Sequence, residues 1–145
     1  MANEFCDIFI DEKPLEIAPA AFQAGAGAVV EFWGVVRGSE NGNAIAGIFY
    51  EAHEDMAMHQ LRRIAEAALE KFGCEKIMLH HRIGFVPVAE PSLFVRVTAK
   101  HRGAAFEGCE WIIEQLKQLV PIWKNPRFLS EPETAAAMPN EGMTR

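Results

Sequence analysis

Residues 28–51 read AVVEFWGVVRGSENGNAIAGIFYE, and this stretch decides the fold class because it predicts two strands joined by a tight turn. Residues 28–38 are rich in β-branched and aromatic residues, which favour a largely buried strand. Asn41-Gly42 tolerates positive φ angles at low cost, so residues 39–43 are typical of a hairpin turn with a mobile tip. Residues 44–51 supply the partner strand.

Two amphipathic helices are predicted further along the chain. From Glu54 to Phe72, apolar residues recur every three or four positions, and Gly73 is suited to cap the helix end. A second helix is predicted from about Ala104 to Val120, and Pro121 ends it. Its buried stripe consists of Ala105, Cys109, Ile112, Leu116 and Val120.

The remaining segments complete a mixed α+β arrangement. Three more strands are predicted, at residues 4–10, 76–83 and 93–99. Residues 14–23 begin with a proline and are predicted to hold at most a short helix, while the two prolines of residues 85–92 indicate a connector or an edge strand. The order β, short α, β, β, α, β, β, α is typical of helices that cover a mostly antiparallel sheet.

The chain length and composition indicate one domain. We expect it to span residues 1–128. After Phe128 the sequence loses its periodicity, so residues 129–145 are expected to form a flexible or partner-dependent tail. No long apolar stretch is present and no signal peptide is recognisable, so a cytoplasmic protein without a membrane span is predicted.

The charge balance restricts the ligands. The chain carries 20 acidic and 14 basic side chains, for a net charge of -6, which argues against a general nucleic-acid binder. Any anion site must therefore be local. Cys6, Cys74 and Cys109 form no CxxC pair and are interpreted as packed thiols. His80 and His81 are adjacent on a strand and point to opposite faces, so we expect no metal site and no cofactor.

Five cationic residues lie at boundaries between elements, where side chains can converge without disturbing a core: Arg37, His101, Arg102, Lys117 and Lys124. His101 and Arg102 precede a helix, whose free N–H groups favour an anion such as phosphate. A lysine held in a desolvated cleft can act as a proton donor or a nucleophile. Each of these residues has the alternative interpretation of an ordinary solvated surface residue.

Five motifs resemble the large subunit of molybdopterin synthase. They are FWGVVRG at residues 32–38, YEAHEDMA at 50–57, HRIG at 81–84, AKHRGAAF at 99–106 and LKQLVPIWK at 116–124. They occur in the order and spacing of that family, across residues 26–124.

The resemblance implies an α/β hammerhead core with an additional antiparallel β subdomain. It also implies a homodimer that binds two small ubiquitin-like sulfur-carrier subunits, giving a heterotetramer. The implied enzyme is a sulfurtransferase of molybdenum cofactor biosynthesis. It uses the C-terminal thiocarboxylates of the small subunits to convert cyclic pyranopterin monophosphate, or precursor Z, into the molybdopterin dithiolene.

The resemblance also implies roles for particular residues. Lys117 and Lys124 match the catalytic lysines, Lys117 as the main general acid and base and Lys124 as the stabiliser of negative charge at the acyl sulfur. The substrate and anion pocket is matched by Arg37, His101 and Arg102, with Phe32 shaping it. The chain departs from the family at Pro126, where the family has an acid, which puts the orientation of Lys124 in doubt.

Two other functions remain open at this point. One is a persulfide sulfurtransferase that uses Cys109 or Cys74. The other is a noncatalytic module that binds the pterin or the small subunit.

Overall fold

The computed structural model describes residues 4–130, which form eight strands and two helices. In chain order these are β1 Cys6–Asp11, β2 Ala28–Val35, β3 Ser39–Glu40, β4 Asn43–Ala52, α1 Glu54–Phe72, β5 Lys76–Arg82, β6 Gly84–Pro87, β7 Pro91–Ala99, α2 Arg102–Leu119 and β8 Ile122–Phe128. The predicted mixed α+β class is confirmed.

The first sheet has the strand order β1-β5-β7-β2. Only its β1–β5 pair is parallel, while β7 pairs antiparallel with both β5 and β2. Both helices pack against this sheet and against each other. Their apolar stripes, including Leu61 on α1 and Ile112 on α2, join the inward residues of the strands in a cluster of buried residues.

The second sheet is built around β4. Three strands pair with β4. Strand β6 pairs with part of β4, β8 pairs with Ile45 to Ala52 of β4, and the short β3 pairs with the first residues of β4. The turn between β3 and β4 has positive φ angles at Asn41 (50°) and Gly42 (81°), which confirms the predicted hairpin turn. This sheet lies beside the C-terminal end of α2, because β8 follows that helix almost directly.

Both helices are confirmed. α1 has the predicted bounds, and Gly73 ends it in the left-handed conformation with φ 68°. α2 begins two residues earlier than expected, at Arg102, and ends at Leu119. Val120 donates its N–H to the carbonyl of Leu116, which closes the last turn.

The prediction that the strand at residues 28–38 pairs with residues 44–51 was wrong. That strand ends at Val35 and pairs with β7 in the first sheet, so the hairpin is formed by the two-residue β3 instead. It is also not largely buried: Phe32, Trp33 and Val35 are 36 %, 42 % and 50 % exposed, because β2 is an edge strand.

Two other expectations differ from the structure. Residues 14–23 contain no helix, and the Arg96 side chain holds this segment by donating from Nη2 to the carbonyl of Ala18 at 2.7 Å. Strand β8 was not predicted at all, although β6 fulfils the expectation of an edge strand. The expected tail falls almost wholly on residues 131–145, outside the described residues. Within residues 4–130, no helix is long and apolar enough to cross a membrane.

Candidate functional site

A cleft of about 170 Å³ lies where the end of β2, the β3–β4 hairpin, the end of α2 and β8 meet. We call it the cationic cleft and define it by its charged and aromatic lining residues, Phe32, Arg37, Glu40, Lys117 and Lys124. Its floor includes Tyr50, His81 and Ser92. Three cations and one anion give the lining a formal charge of +2, which suits a small anionic ligand.

The two lysines come from different elements. Lys117 is exposed on α2, directly after the buried Leu116, so its side chain stands at the edge of the helix face that packs on the core. Lys124 lies in β8 opposite Tyr50 of β4. The cleft therefore depends on the packing of α2 and on the register of the second sheet.

Arg37 is positioned by the residue before it. Val36 is buried, its N–H donates to the carbonyl of Glu90 at 3.0 Å, and its own carbonyl accepts from the N–H of Ala89 at 2.8 Å. These two bonds fix the backbone immediately after β2. The exposed Arg37 side chain thus starts from a fixed point at the mouth of the cleft.

Lys124 has an acidic neighbour in the cleft. Its Nζ lies 3.8 Å from Oε1 of Glu40, and the two side chains are only 20 % and 24 % exposed. This distance is too long for a hydrogen bond but is that of an ion pair. Glu40 was not among the predicted site residues, because its position beside the Asn41-Gly42 turn indicated only turn chemistry.

The floor of the cleft is polar but uncharged at neutral pH. Ser92 Oγ donates to the Tyr50 hydroxyl at 3.0 Å, and the rings of Tyr50 and His81 meet edge to face at 5.3 Å. Burial raises the pKa of Tyr50, which keeps its hydroxyl protonated. Burial also lowers the pKa of His81 to about 4. The neutral ring donates from Nδ1 to the carbonyl of Arg82 at 2.8 Å, which leaves Nε2 as an acceptor.

His101 and Arg102 do not line the cationic cleft of the same chain. Both are exposed at the start of α2, and Lys117 lies 15 residues after Arg102. At a rise of 1.5 Å per residue, about 22 Å of helix separates Arg102 from Lys117. Of the six predicted site residues, the structure therefore brings together Phe32, Arg37, Lys117 and Lys124.

The three cysteines are buried and reduced. Burial raises the pKa of Cys6 and of Cys109 to about 11, and it also raises that of Cys74. Thiols in this state are poor nucleophiles because little thiolate is present near neutral pH. In the part of the chain that the structure describes, no group of three or more His, Cys, Asp or Glu residues is arranged to hold a metal ion.

The fold and the cleft define a mixed α+β protein with a confined cationic pocket. Residues 10–119 match the family described as MoaE protein. The chain belongs to this family.

Relatives and solved structures agree with that assignment. The chain is 37 % identical over 125 residues to the molybdopterin synthase catalytic subunit of Thermoplasma volcanium, covering 86 % of this chain and 91 % of the relative. The crystal structure of molybdopterin synthase from Staphylococcus aureus matches with a TM-score of 0.70 and 33 % identity, covering 74 % of this chain and 78 % of that one. A complex of subunits 1 and 2 of molybdopterin-converting factor from Helicobacter pylori matches with a TM-score of 0.60 and 26 % identity, covering 74 % of each chain.

Proposed function

We propose that this chain is the catalytic subunit of a molybdopterin synthase. It transfers sulfur from the C-terminal thiocarboxylate of a small ubiquitin-like subunit to cyclic pyranopterin monophosphate, forming the molybdopterin dithiolene. Each transfer makes a carbon–sulfur bond to the pterin, and hydrolysis of the acyl–sulfur bond leaves the small subunit with a carboxylate. The observation that carries the proposal is the convergence of Arg37, Lys117 and Lys124 on one cleft in a member of the MoaE family.

The cleft suits both reactants. The substrate carries a phosphate and the small subunit ends in an anionic thiocarboxylate, so a lining with a charge of +2 attracts each of them. Arg37 is suited to grip the phosphate with two N–H groups. Lys117 serves as the general acid and base, and Lys124 stabilises negative charge at the acyl sulfur. Phe32 forms an apolar wall for the pterin ring.

A second copy of the chain completes the site in this proposal. The cleft of about 170 Å³ is smaller than the roughly 300–1,000 Å³ of most ligand pockets. His101 and Arg102, at the far end of α2, are available to the cleft of another subunit. The exposed apolar side chains of the β2 edge, Phe32, Trp33 and Val35, are suited to a homodimer contact.

We further propose a heterotetramer in the cytoplasm, with one small subunit bound to each catalytic subunit. The similarity to one chain of a two-subunit converting factor supports a small-subunit partner. The division into a helix-covered sheet and a second antiparallel sheet supports an α/β hammerhead core with an added subdomain. One domain over residues 1–128 is supported by the shared cluster of buried residues.

The cysteine persulfide alternative finds little support. All three thiols are buried, and the raised pKa values disfavour the thiolate that such chemistry requires. A noncatalytic module would bind the same pterin and small subunit but would form no product.

The decisive experiment is reconstitution with purified components. The protein is mixed with thiocarboxylated small subunit and cyclic pyranopterin monophosphate, and molybdopterin is measured after conversion to a fluorescent derivative. Product that depends on all three components supports the proposal. Binding of both partners without product would favour the noncatalytic module.

A further inference from the structure

Glu40 is unexpected in a cleft for anions. Among the described residues that line the cationic cleft, it is the only acidic one. A carboxylate in this place repels a phosphate and a thiocarboxylate, and the repulsion is strong because the side chain is only 24 % exposed. A residue that opposes substrate binding in this way calls for a compensating role.

The local backbone directs Glu40 towards Lys124. Glu40 pairs with Asn43 across the β3–β4 hairpin, and the left-handed residues Asn41 and Gly42 fix the turn between them. Lys124 is placed by the pairing of β8 with the same strand β4. The Glu40 carboxylate and the Lys124 ammonium therefore approach to 3.8 Å from two strands that both pair with β4.

The two lysines of the cleft differ in whether an acidic side chain lies beside them. Within the described residues, Lys124 forms an ion pair, with Glu40, and Lys117 forms none. Lys117 is also the more exposed of the two. Lys124 is thus held by an acidic neighbour, whereas no acidic side chain of the described residues holds Lys117.

Strand β8 itself supplies no acid to Lys124, since none of its residues Ile122–Phe128 is acidic. Alternate residues of a strand share a face, so an acid at residue 126 would stand on the same side of β8 as Lys124. This chain has Pro126 there, and Pro126 pairs with Ile48 of β4. Among the described acidic side chains, the one within ion-pair distance of Lys124 comes from β3 instead.

We propose that Glu40 is a positioning residue that holds the Lys124 ammonium at the place where negative charge develops on the acyl sulfur. The inference rests on the proposed sulfur transfer. Glu40 weakens the attraction of the cleft for anions, and in return it orients Lys124 for the transition state. Interactions of this kind raise kcat at the expense of substrate binding.

Glu40→Gln tests the proposal through kinetics in the reconstituted enzyme. We expect kcat to fall about 10-fold, because Lys124 loses its orientation, and KM for the pterin to fall about 3-fold, because the repulsion is removed. Glu40→Asp, which keeps the charge, should recover part of kcat. Glu51→Gln is the matched control, since Glu51 lies on β4 outside the cleft and accepts from Asn125 at 2.9 Å. Unchanged kinetics, or a loss of kcat without any fall in KM, would overturn the assignment.

A double-mutant cycle separates a role through Lys124 from a general structural role. In a Lys124→Ala background, Glu40→Gln should change kcat by less than about 2-fold, because the side chain that it positions is gone. A further 10-fold loss in that background would show that Glu40 acts by another route and would overturn the proposal.

Chemical labelling tests the pair without any turnover. The protein alone is treated with a limiting amount of acetic anhydride, and acetylation of Lys124 is followed by peptide mass spectrometry. We expect labelling about 3-fold faster in Glu40→Gln than in the unmodified protein or in Glu51→Gln, because the Lys124 side chain is no longer held by its partner and its amine becomes more accessible to the reagent. Equal rates would overturn the positioning role. Failure of the unmodified enzyme to turn over would refute the proposed function, and the labelling result would still decide the role of Glu40.

Discussion

Tyr50 and Lys124 lie directly opposite each other on β4 and β8, so a buried tyrosine and a cleft lysine project from the same face of the second sheet. Tyr50 is anchored by its hydroxyl, which accepts from Ser92 Oγ of β7. The same hydroxyl links the second sheet to the first, because β7 belongs to the first sheet. The position of Lys124 therefore depends on the buried contact between Tyr50 and Ser92.

Tyr50→Phe should destabilise the fold. It leaves the buried Ser92 hydroxyl without its partner, which costs about 1–2 kcal/mol of unfolding free energy, as measured by urea denaturation. The Tyr50→Phe, Ser92→Ala double variant should recover much of this loss, because removing both polar partners is nearly neutral. A single variant as stable as the unmodified protein would show that the hydrogen bond contributes nothing.

Lys117→Ala should remove most of the turnover without affecting the fold. Loss of a general acid or base lowers kcat by about 10²–10⁴-fold, and Lys117 is exposed, so the fold and the oligomeric state should not change. Initial rates, circular dichroism and gel filtration measure these properties. Lys76→Ala, at an exposed site on β5, is the control for loss of a lysine. Normal turnover of Lys117→Ala would exclude this residue from the mechanism.

Local sequence signals predicted the elements whose structure is determined locally. The apolar period of residues 54–72 depends on helix geometry alone, and Gly73 was suited to the left-handed cap that it forms. The Asn41-Gly42 turn was likewise predictable from two residues. In each case, neighbouring residues supply the deciding interactions.

Strand pairing was less predictable because it joins distant residues. Nothing in residues 28–38 indicates that they pair with β7 instead of β4. Strand β8 was missed because its pairing with β4 joins residues that are far apart in the sequence. In the described structure β8 is paired only with β4, and such edge strands tolerate the proline at position 126.

The site was predicted only in part, because it also joins residues that are distant in the sequence. The lysines and Arg37 were recognised from motifs, and the fold brings them together. The contribution of Glu40 depends on the meeting of a hairpin with β8, which no single segment reveals.

His81 should make stability depend on pH in the acidic range. The unfolded chain takes up a proton below about pH 6.5, whereas burial keeps folded His81 neutral until about pH 4. The contribution of His81 to stability is therefore complete above pH 6.5 and is lost as the pH falls towards 4. The difference between these two pKa values corresponds to roughly 3 kcal/mol of unfolding free energy. His81→Asn, whose amide can still donate to the Arg82 carbonyl, should show a flatter profile of unfolding free energy, and parallel profiles would contradict this.

The three cysteines should be dispensable for sulfur transfer. Simultaneous replacement of Cys6, Cys74 and Cys109 by alanine creates small voids and costs roughly 1–2 kcal/mol at each site, so turnover is measured at a temperature where circular dichroism confirms folding. We expect kcat within about 2-fold of the unmodified protein, because the partner supplies the sulfur. A folded triple variant without turnover would instead support persulfide chemistry.

Mixed dimers should reveal whether two chains share one site. If His101 and Arg102 serve the cleft of the other subunit, Lys117→Ala and Arg102→Ala homodimers are both inactive. A heterodimer of the two, isolated by coexpression with different affinity tags, has both lesions in one cleft and none in the other, so about half of the unmodified activity should return. A heterodimer of Lys117→Ala with Lys124→Ala should stay inactive, because these residues line the same cleft of one chain and each site then keeps one lesion. If the first heterodimer were also inactive, Arg102 would not serve the cleft of the other subunit and the shared site would be refuted, since about 22 Å of helix already separates Arg102 from Lys117 of its own chain.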